Sequence, residues 1–319
     1  GGLVGHEAGR VWAGTVHHVG NRLLRKSARE LGFEPNFTIL DSEDQADLIR
    51  LAMDDAELTS KDKLAPKPSQ VQHLISFAVN TRKTLEDAIA ETAGDLIEWA
   101  DHVRRVADAY AARKRAANCM DYDDLLVLWL KLLDEHPARL AEQGKMFRHI
   151  LVDEMQDTNA LQIEVVEKVA AAGPGNLTAV GDDAQSIYRF RGADYDNILK
   201  FPDRHAGSRI FRLDVNYRST PQIVALTQAS IARNRSGFPK ALISARGDGL
   251  KPTVVATADV YEEAALVCQQ ILETRDRGVP LAEMAVLYRN HYDSVVLQGE
   301  LLARNIPYNV RSGIRFFEQ

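Results

Sequence analysis

Cysteine is scarce in this chain: Cys119 and Cys268 are the only two in 319 residues. They lie far apart and in no metal-ligand spacing. That argues against a disulfide framework and suits a reducing cytosol. No apolar run approaches the roughly 18 residues that a membrane helix requires. Gly1 to Gly9 lacks the basic-then-apolar pattern of a secretory signal. A cytoplasmic chain without a membrane partner is the expectation. Positive charge is not in excess either, with 39 Lys and Arg against 45 Asp and Glu and a formal charge of −6. This balance argues against a wholesale nucleic-acid coat but leaves room for a local basic track. Two basic clusters occur, Arg22, Arg25, Lys26 and Arg29, then Arg104, Arg105, Arg113, Lys114 and Arg115. The second reads as a solvated helix face. Internal repeats and low-complexity tracts are lacking as well.

What is there is ordinary globular material, 45% hydrophobic and 26% charged. At roughly 150 residues per domain, the length allows about two domains. Residues 11–15 read as a short strand and Val19 to Leu31 as a helix. From Asp41 to about Leu133 the pattern is helical, with Ser42 and Gln45 in a capping arrangement. Within it, Ser60 to Ser69, with Pro66 and Pro68, marks a loop. Leu85 to Lys114 is one long helix or two, and Asp123 to Leu133 is another. This block reads as an insertion between strands.

From His149 the texture changes. Short apolar runs at Ile150–Val152, Leu177–Val180 and Ile210–Leu213 alternate with helical stretches at Ala160–Ala172 and Pro221–Arg233. Such alternation predicts a parallel α/β sheet. A polar linker spans Ser236 to Gly249. Beyond it, strands are expected at Pro252–Thr257, Met284–Tyr288 and Tyr308–Val310, with helices at Glu262–Arg275 and Ser294–Asn305.

The first of those apolar runs ends in Asp153-Glu154. Ligands of open parallel sheets sit beyond the carboxyl ends of the strands, so both carboxylates would be presented there. Phosphoryl transfer to water needs a hard oxygen ligand for Mg²⁺ and a group that aligns the attacking water. Asp153 is assigned to the metal and Glu154 to the water. A strand running into a surface loop with two exposed acids is the bland alternative, since a bare pair of this kind is common.

The residues that follow separate the two. The run continues Val152-Asp153-Glu154-Met155-Gln156-Asp157-Thr158-Asn159, with Gln162 one turn on. The next is Val180-Gly181-Asp182-Asp183-Ala184-Gln185-Ser186-Ile187-Tyr188-Arg189-Phe190-Arg191-Gly192-Ala193, and the third is Leu213-Asp214-Val215-Asn216-Tyr217-Arg218-Ser219-Thr220. In this order they resemble the Walker B motif and the next two motifs of UvrD/Rep-type superfamily-one DNA helicases. The resemblance implies a RecA-like α/β fold, with an incomplete first sheet domain interrupted by a helical subdomain and followed by the start of a second. The implied bounds are 1–41, 42–140, 141–250 and 251–319. It implies ATP and Mg²⁺ as cofactors and single-stranded or partly duplex DNA as partner, alongside DNA repair or replication proteins. The implied activity is movement along single-stranded DNA, mostly 3′ to 5′.

By the same resemblance, Gln185 contacts the terminal phosphate, Arg218 clamps it and Tyr217 stacks on the adenine. A guanidinium at that place spreads positive charge over the transition state. The interleaved Tyr188, Phe190 and Arg191 meet single-stranded DNA, with Phe190 where many relatives carry tryptophan. Bases stack on aromatic faces while arginines meet phosphates. Thr15 and His17, in Gly14-Thr15-Val16-His17-His18, resemble a Thr-x-His segment that contacts the DNA backbone, although His18 stands where serine is usual. Arg289, in Ala285-Val286-Leu287-Tyr288-Arg289-Asn290, resembles a DNA-phosphate contact, and Gly313 to Phe317 fits the same family pattern.

One expected motif is lacking. Gly-x-x-x-x-Gly-Lys-Ser/Thr does not occur, and the nearest approach, Gly247 to Thr253, is broken by Pro252. Its backbone N–H groups and lysine would carry most of the charge of the β- and γ-phosphates. The chain is therefore expected to be a truncated or partial product with negligible ATPase activity by itself. Two rival expectations remain: a non-hydrolysing DNA-binding protein derived from a helicase, and a helicase–nuclease subunit.

Overall fold

The computed structural model describes residues 11–56, 65–189, 192–234 and 237–311. Expectations for Gly1–Gly9, Phe190, Arg191 and Gly313–Phe317 lie outside the described residues. Two compact units divide the chain, Gly1–Asn216 with Thr227–Ile243, and Tyr217–Leu226 with Ser244–Gln319.

In the first unit, helix α1 (Val16–Ser27) begins directly after Thr15, whose hydroxyl accepts the His18 N–H at 3.2 Å. The expected strand over 11–15 is thus a capped helix start. The physical reason is that Thr15 satisfies one of the orphan amides of the first helical turn. Thr15→Ala is expected to destabilise the first unit by about 1 kcal/mol, read as a lowered midpoint in denaturant unfolding. The basic residues of α1 serve packing. Arg22 lies over the Trp12 ring at 3.8 Å, and Arg25 lies over Phe37 at 4.2 Å while donating to the Pro35 and Phe37 carbonyls.

Strand β1 (Thr38–Ile39) pairs in parallel with β2 (Cys119–Met120), and the chain between them is helical. It comprises α2 (Ser42–Asp55), α3 (Pro68–Thr81), α4 (Leu85–Thr92) and α5 (Ala100–Ala116). The cap of α2 sits one residue before the expected one: Asp41 accepts the Glu43 and Asp44 N–H groups, and Gln45 donates to the Leu40 carbonyl. Pro68, expected in a loop, opens α3, where its missing N–H is not needed. Ile49, Ala52, Val71, Val103, Val106 and Tyr110 form the core of this block.

The second basic cluster is a solvated face only in part: Arg104, Arg105 and Arg115 are exposed, Arg113 is half-buried and Lys114 is buried. Arg113 pairs with Asp55, and Arg115 lies over Phe33 at 5.1 Å while donating to the Leu31 carbonyl. Lys114 is 7% exposed and pairs with Asp121 and Asp124, both at 2.6 Å. Tyr110 donates to the same Asp121 at 2.9 Å.

Helix α6 (Tyr122–Glu135) follows, capped by Asp121. It buries Leu125, Leu126, Leu128, Trp129, Leu130, Leu132 and Leu133, so apolar residues cover most of its circumference. A helix apolar nearly all round must be central, and α6 packs on α1, on α7 (Pro137–Met146) and on α8 (Ala160–Ala171). Strands β3 (Ile150–Val152) and β4 (Leu177–Ala179) flank α8 in sequence and pair in parallel, with Ile150 opposite Leu177 and Val152 opposite Ala179. Short helices α9 (Asp196–Leu199) and α10 (Phe201–Arg204) lead to β5 (Val215–Asn216); α11 (Pro221–Ile231) and β6 (Ile243–Ser244), which follow, are each divided between the two units.

The third expected strand does not form at Ile210–Leu213. Ile210, Phe211 and Leu213 are exposed, and pairing begins only where Ile243 N–H donates to the Asp214 carbonyl. A strand requires a partner ladder, which an apolar run alone does not provide.

In the second unit, α12 (Val260–Asp276) packs on α13 (Ser294–Ala303) around Cys268, Leu301 and Ile306. Both helices match their expected positions. The strands expected at 252–257, 284–288 and 308–310 are irregular segments, for the same want of a hydrogen-bonded neighbour among the described residues. Both cysteines are free. Among the described residues, no helix is long and apolar enough to cross a membrane.

Candidate functional site

Strands β3 and β4 run side by side in the same direction, so the loops after them emerge from the same edge. The backbone of Val152 accepts the Val180 N–H at 2.8 Å, and the Val180 carbonyl accepts the Met155 N–H at 2.9 Å. Asp153 and Glu154 are exposed at the end of β3. Glu154 sits in the left-handed region, with φ +50° and ψ +45°. This conformation is costly for a non-glycine residue and concentrates at functional positions. It turns the chain sharply into a short 3-10 segment, Met155–Asp157. Asp153 Oδ1 accepts the Glu154 N–H at 3.0 Å.

The side chain of Gln156 is buried behind this turn. Its Nε2 donates to Glu154 Oε2 at 2.6 Å, and its Oε1 accepts the Asp182 N–H at 3.0 Å. Asp182 in turn accepts from Gln185 Nε2 at 2.7 Å and caps the turn Asp183–Gln185 by accepting the Ala184 N–H. Glu154 and Gln185, both selected from sequence, are therefore joined by two residues that sequence reasoning left without a role. Lys240 completes the loop by pairing with Asp182, and with Asp183 at 2.9 Å. Burial raises the Asp182 carboxyl, but hydrogen bonds from Lys240, Gln185 and Ala184 outweigh it and hold the group below its ordinary value. The stabilisation this gives is present above the ordinary aspartate range and is lost as pH falls through the lowered value.

Gly181 packs closely against these side chains. A Cβ there would come within 2.4 Å of Gln156 Oε1 and 2.7 Å of Ile198 Cδ1.

Asp157, the last residue of the Met155–Asp157 turn, lines a pocket of about 430 Å³ together with His17, Tyr122, Asp123, Asn159 and Tyr188 among others. The His17 and Tyr122 rings meet edge to face at 5.9 Å. Burial holds the His17 imidazole below its ordinary value, so at neutral pH it offers a neutral ring. Asn80 organises the floor, donating to Asp123 at 2.7 Å and accepting from Asn159 at 2.6 Å. Asp157 Oδ1 is sealed from solvent with no hydrogen-bond partner among the described residues. Burial first, and then the Glu154 charge, pushes the Asp157 carboxyl up. Two of the residues expected at DNA, His17 and Tyr188, are thus brought together here. Thr15 is exposed, and its hydroxyl serves as the α1 cap.

Tyr217, Arg218 and Arg289 are exposed and belong to the second unit. Tyr217 is 77% exposed, and the Arg218 carbonyl accepts from Arg246 at 3.0 Å.

Residues 2–206 match the family model of the UvrD/REP helicase N-terminal domain, and residues 211–319 match that of the UvrD-like helicase C-terminal domain. The chain belongs to the UvrD/REP helicase family. Among relatives of this family, the ATP-dependent DNA helicase PcrA of Staphylococcus epidermidis is 35% identical over 99% of the chain. PcrA of Staphylococcus aureus is 34% identical over the same share. The chain spans 42% of the length of each of these UvrD/REP relatives.

Among the described residues no group of three or more His, Cys, Asp and Glu could hold a metal ion. A magnesium ion that arrives with a nucleotide needs less. It takes one or two carboxylates and phosphate oxygens, and keeps water in its other positions. The exposed carboxylate of Asp153 suits that donor set.

Proposed function

We propose that this chain carries the hydrolytic centre of an ATP-dependent DNA helicase or translocase that moves along single-stranded DNA in the 3′ to 5′ direction. The observation that carries this reading is the convergence of Glu154 and Gln185 at one edge of a parallel strand pair. In this reading the strand pair is part of a RecA-like sheet, and the sequence divides at residues 41, 140 and 250. Asp153 would hold Mg²⁺, which supplies charge neutralisation at the phosphates when bound. Glu154 aligns the attacking water and accepts its proton. Gln185 hydrogen-bonds the terminal phosphate, Arg218 offers it a bidentate cation, and Tyr217 presents an aromatic face to the adenine.

The pocket between His17 and Tyr188 takes a base of the DNA rather than a phosphate. Its two carboxylates repel an anion, while Tyr122 and Tyr188 offer aromatic surface. Phosphates are left to Thr15, Arg191 and Arg289, and Phe190 extends the stacking. Tyr188→Ala is expected to weaken single-stranded DNA binding by about 1–3 kcal/mol, measured by fluorescence anisotropy of a labelled oligonucleotide. Cytoplasmic partners in DNA repair or replication complete the reading.

The lack of a Gly-x-x-x-x-Gly-Lys-Ser/Thr loop in these 319 residues favours a second reading for the chain taken alone, a DNA-binding module that does not turn over ATP. The two readings divide on one assay. The natural full-length protein is expected to hydrolyse ATP on addition of single-stranded DNA, and the 319-residue chain to show negligible turnover. DNA-stimulated turnover by the chain alone, abolished by Glu154→Gln, contradicts the second reading. No turnover by the full-length protein contradicts the first.

A further inference from the structure

We infer that Gln156 is a positioning residue for ATP hydrolysis, fixing the Glu154 carboxylate by donating to it while anchored on the loop that carries Gln185. This rests on the reading of Glu154 as the group that aligns water.

The argument begins with what an amide can and cannot do. A backbone N–H only donates, so the atom of Gln156 that meets the Asp182 N–H at 3.0 Å must be its carbonyl oxygen. That fixes which way the amide faces and leaves its NH₂ group toward Glu154, at 2.6 Å. The orientation is therefore set by chemistry. The residue is 1% exposed, and its own carbonyl accepts from Ser186 Oγ at 3.2 Å. Gly181 closes against the same amide oxygen, where no Cβ fits. Each freedom of the Gln156 side chain is thereby removed, whereas Glu154 is an exposed carboxylate on a strained turn. Left alone, such a carboxylate samples several rotamers, each with a different water position. A rigid donor on Oε2 selects one and leaves Oε1 for the water.

The chain of hydrogen bonds continues past Asp182 to Gln185. The amide thus refers the position of the hydrolytic acid to the loop expected to touch the terminal phosphate. Gln156, at 1% exposed, is the shielded member of this chain, while Glu154 and Gln185 at its two ends are exposed. A mere structural plug would need only the acceptor half of the amide, and the donor half is the part that the inference adds.

Gln156→Glu separates those halves. It keeps the length and the acceptor for the Asp182 N–H but replaces the donor with a second carboxylate facing Glu154. Gln156→Met keeps volume and removes both links. The test measures kcat and KM for ATP with saturating single-stranded DNA in the natural full-length protein, alongside thermal unfolding, with wild type and Glu154→Gln as controls. The expected result for Gln156→Glu is a kcat lower by about 10- to 100-fold with little change in KM, since small misplacements of catalytic groups cost on this scale. Gln156→Met is expected to show the same split while remaining folded, and it decides the matter if Gln156→Glu does not fold. Wild-type kcat in a folded Gln156→Glu, or in a folded Gln156→Met where Gln156→Glu does not fold, overturns the inference, as does a change confined to KM. Full turnover by Glu154→Gln would instead sink the reading of Glu154 on which the inference stands.

Discussion

Glu154→Gln is expected to reduce DNA-stimulated ATP turnover by about 10²- to 10⁴-fold, the usual contribution of a positioned general base, while nucleotide affinity changes little. The amide keeps the size of the side chain, and Gln156 can still meet it. What is lost is the acceptor for the proton of the attacking water. The strained backbone supports this assignment. Glu154 stands at φ +50°, a conformation that glycine would adopt with less cost, and a carboxylate is placed there nonetheless. A single-turnover assay in the natural full-length protein separates the chemical step from product release. Unchanged single-turnover rates would remove Glu154 from the chemistry.

Lys114→Met has the largest expected effect on stability. Lys114 lies almost fully buried against Asp121 and Asp124. Burial alone would lower its pKa, but the two carboxylates overcome this and hold it above its ordinary value. Removing the cation leaves the buried Asp121 carboxylate facing the half-buried one of Asp124, and breaking a buried pair from one side costs about 3–5 kcal/mol. The pH dependence of that loss has a definite sign. Burial, then the neighbouring Asp121 charge, raises the Asp124 carboxyl to about 6 even with Lys114 present. A carboxyl with a raised folded value binds more protons folded than unfolded, so its contribution to stability falls as pH rises through that range. The deficit of Lys114→Met is accordingly expected to be full at pH 7.5 and to shrink toward pH 5, where the facing carboxylates take up protons. Urea unfolding at both values checks this. An equal deficit at both would show that the lysine contributes packing and not charge.

Much of this architecture was legible in the sequence, and the parts that were not share a physical cause. Helices α8, α12 and α13 announce themselves by period and caps, and α6 by an apolar content that only a central helix carries. Strands β3 and β4 were readable because each short apolar run ends in polar residues and they flank one helix. Ile210–Leu213 and Met284–Tyr288 look the same on paper, yet remain unpaired. A strand depends on its neighbour, and the sequence of the strand itself does not say whether that neighbour is present. Thr15 shows the converse. A short apolar stretch ending in threonine reads as a strand, whereas the hydroxyl is the cap of α1.

The candidate site divides similarly. Asp153, Glu154 and Gln185 could be selected because their residue types match the chemistry of phosphate and water. Gln156 could not, because its role comes from the reversal of the backbone at Glu154, which returns the side chain toward the carboxylate two residues earlier. Lys240 lies 58 residues from the aspartate it pairs with, and no local pattern connects them. The signal for Gln156 was its place within the Asp153–Asn159 run, read there as family resemblance without a physical task.

A crystal structure of the natural full-length protein with a non-hydrolysable ATP analogue and Mg²⁺ tests the account most directly. The account predicts the metal on Asp153, a water on Glu154 in line with the terminal phosphate, and the Gln185 amide on a phosphate oxygen. A nucleotide bound with its phosphates away from the edge formed by β3 and β4 would contradict it.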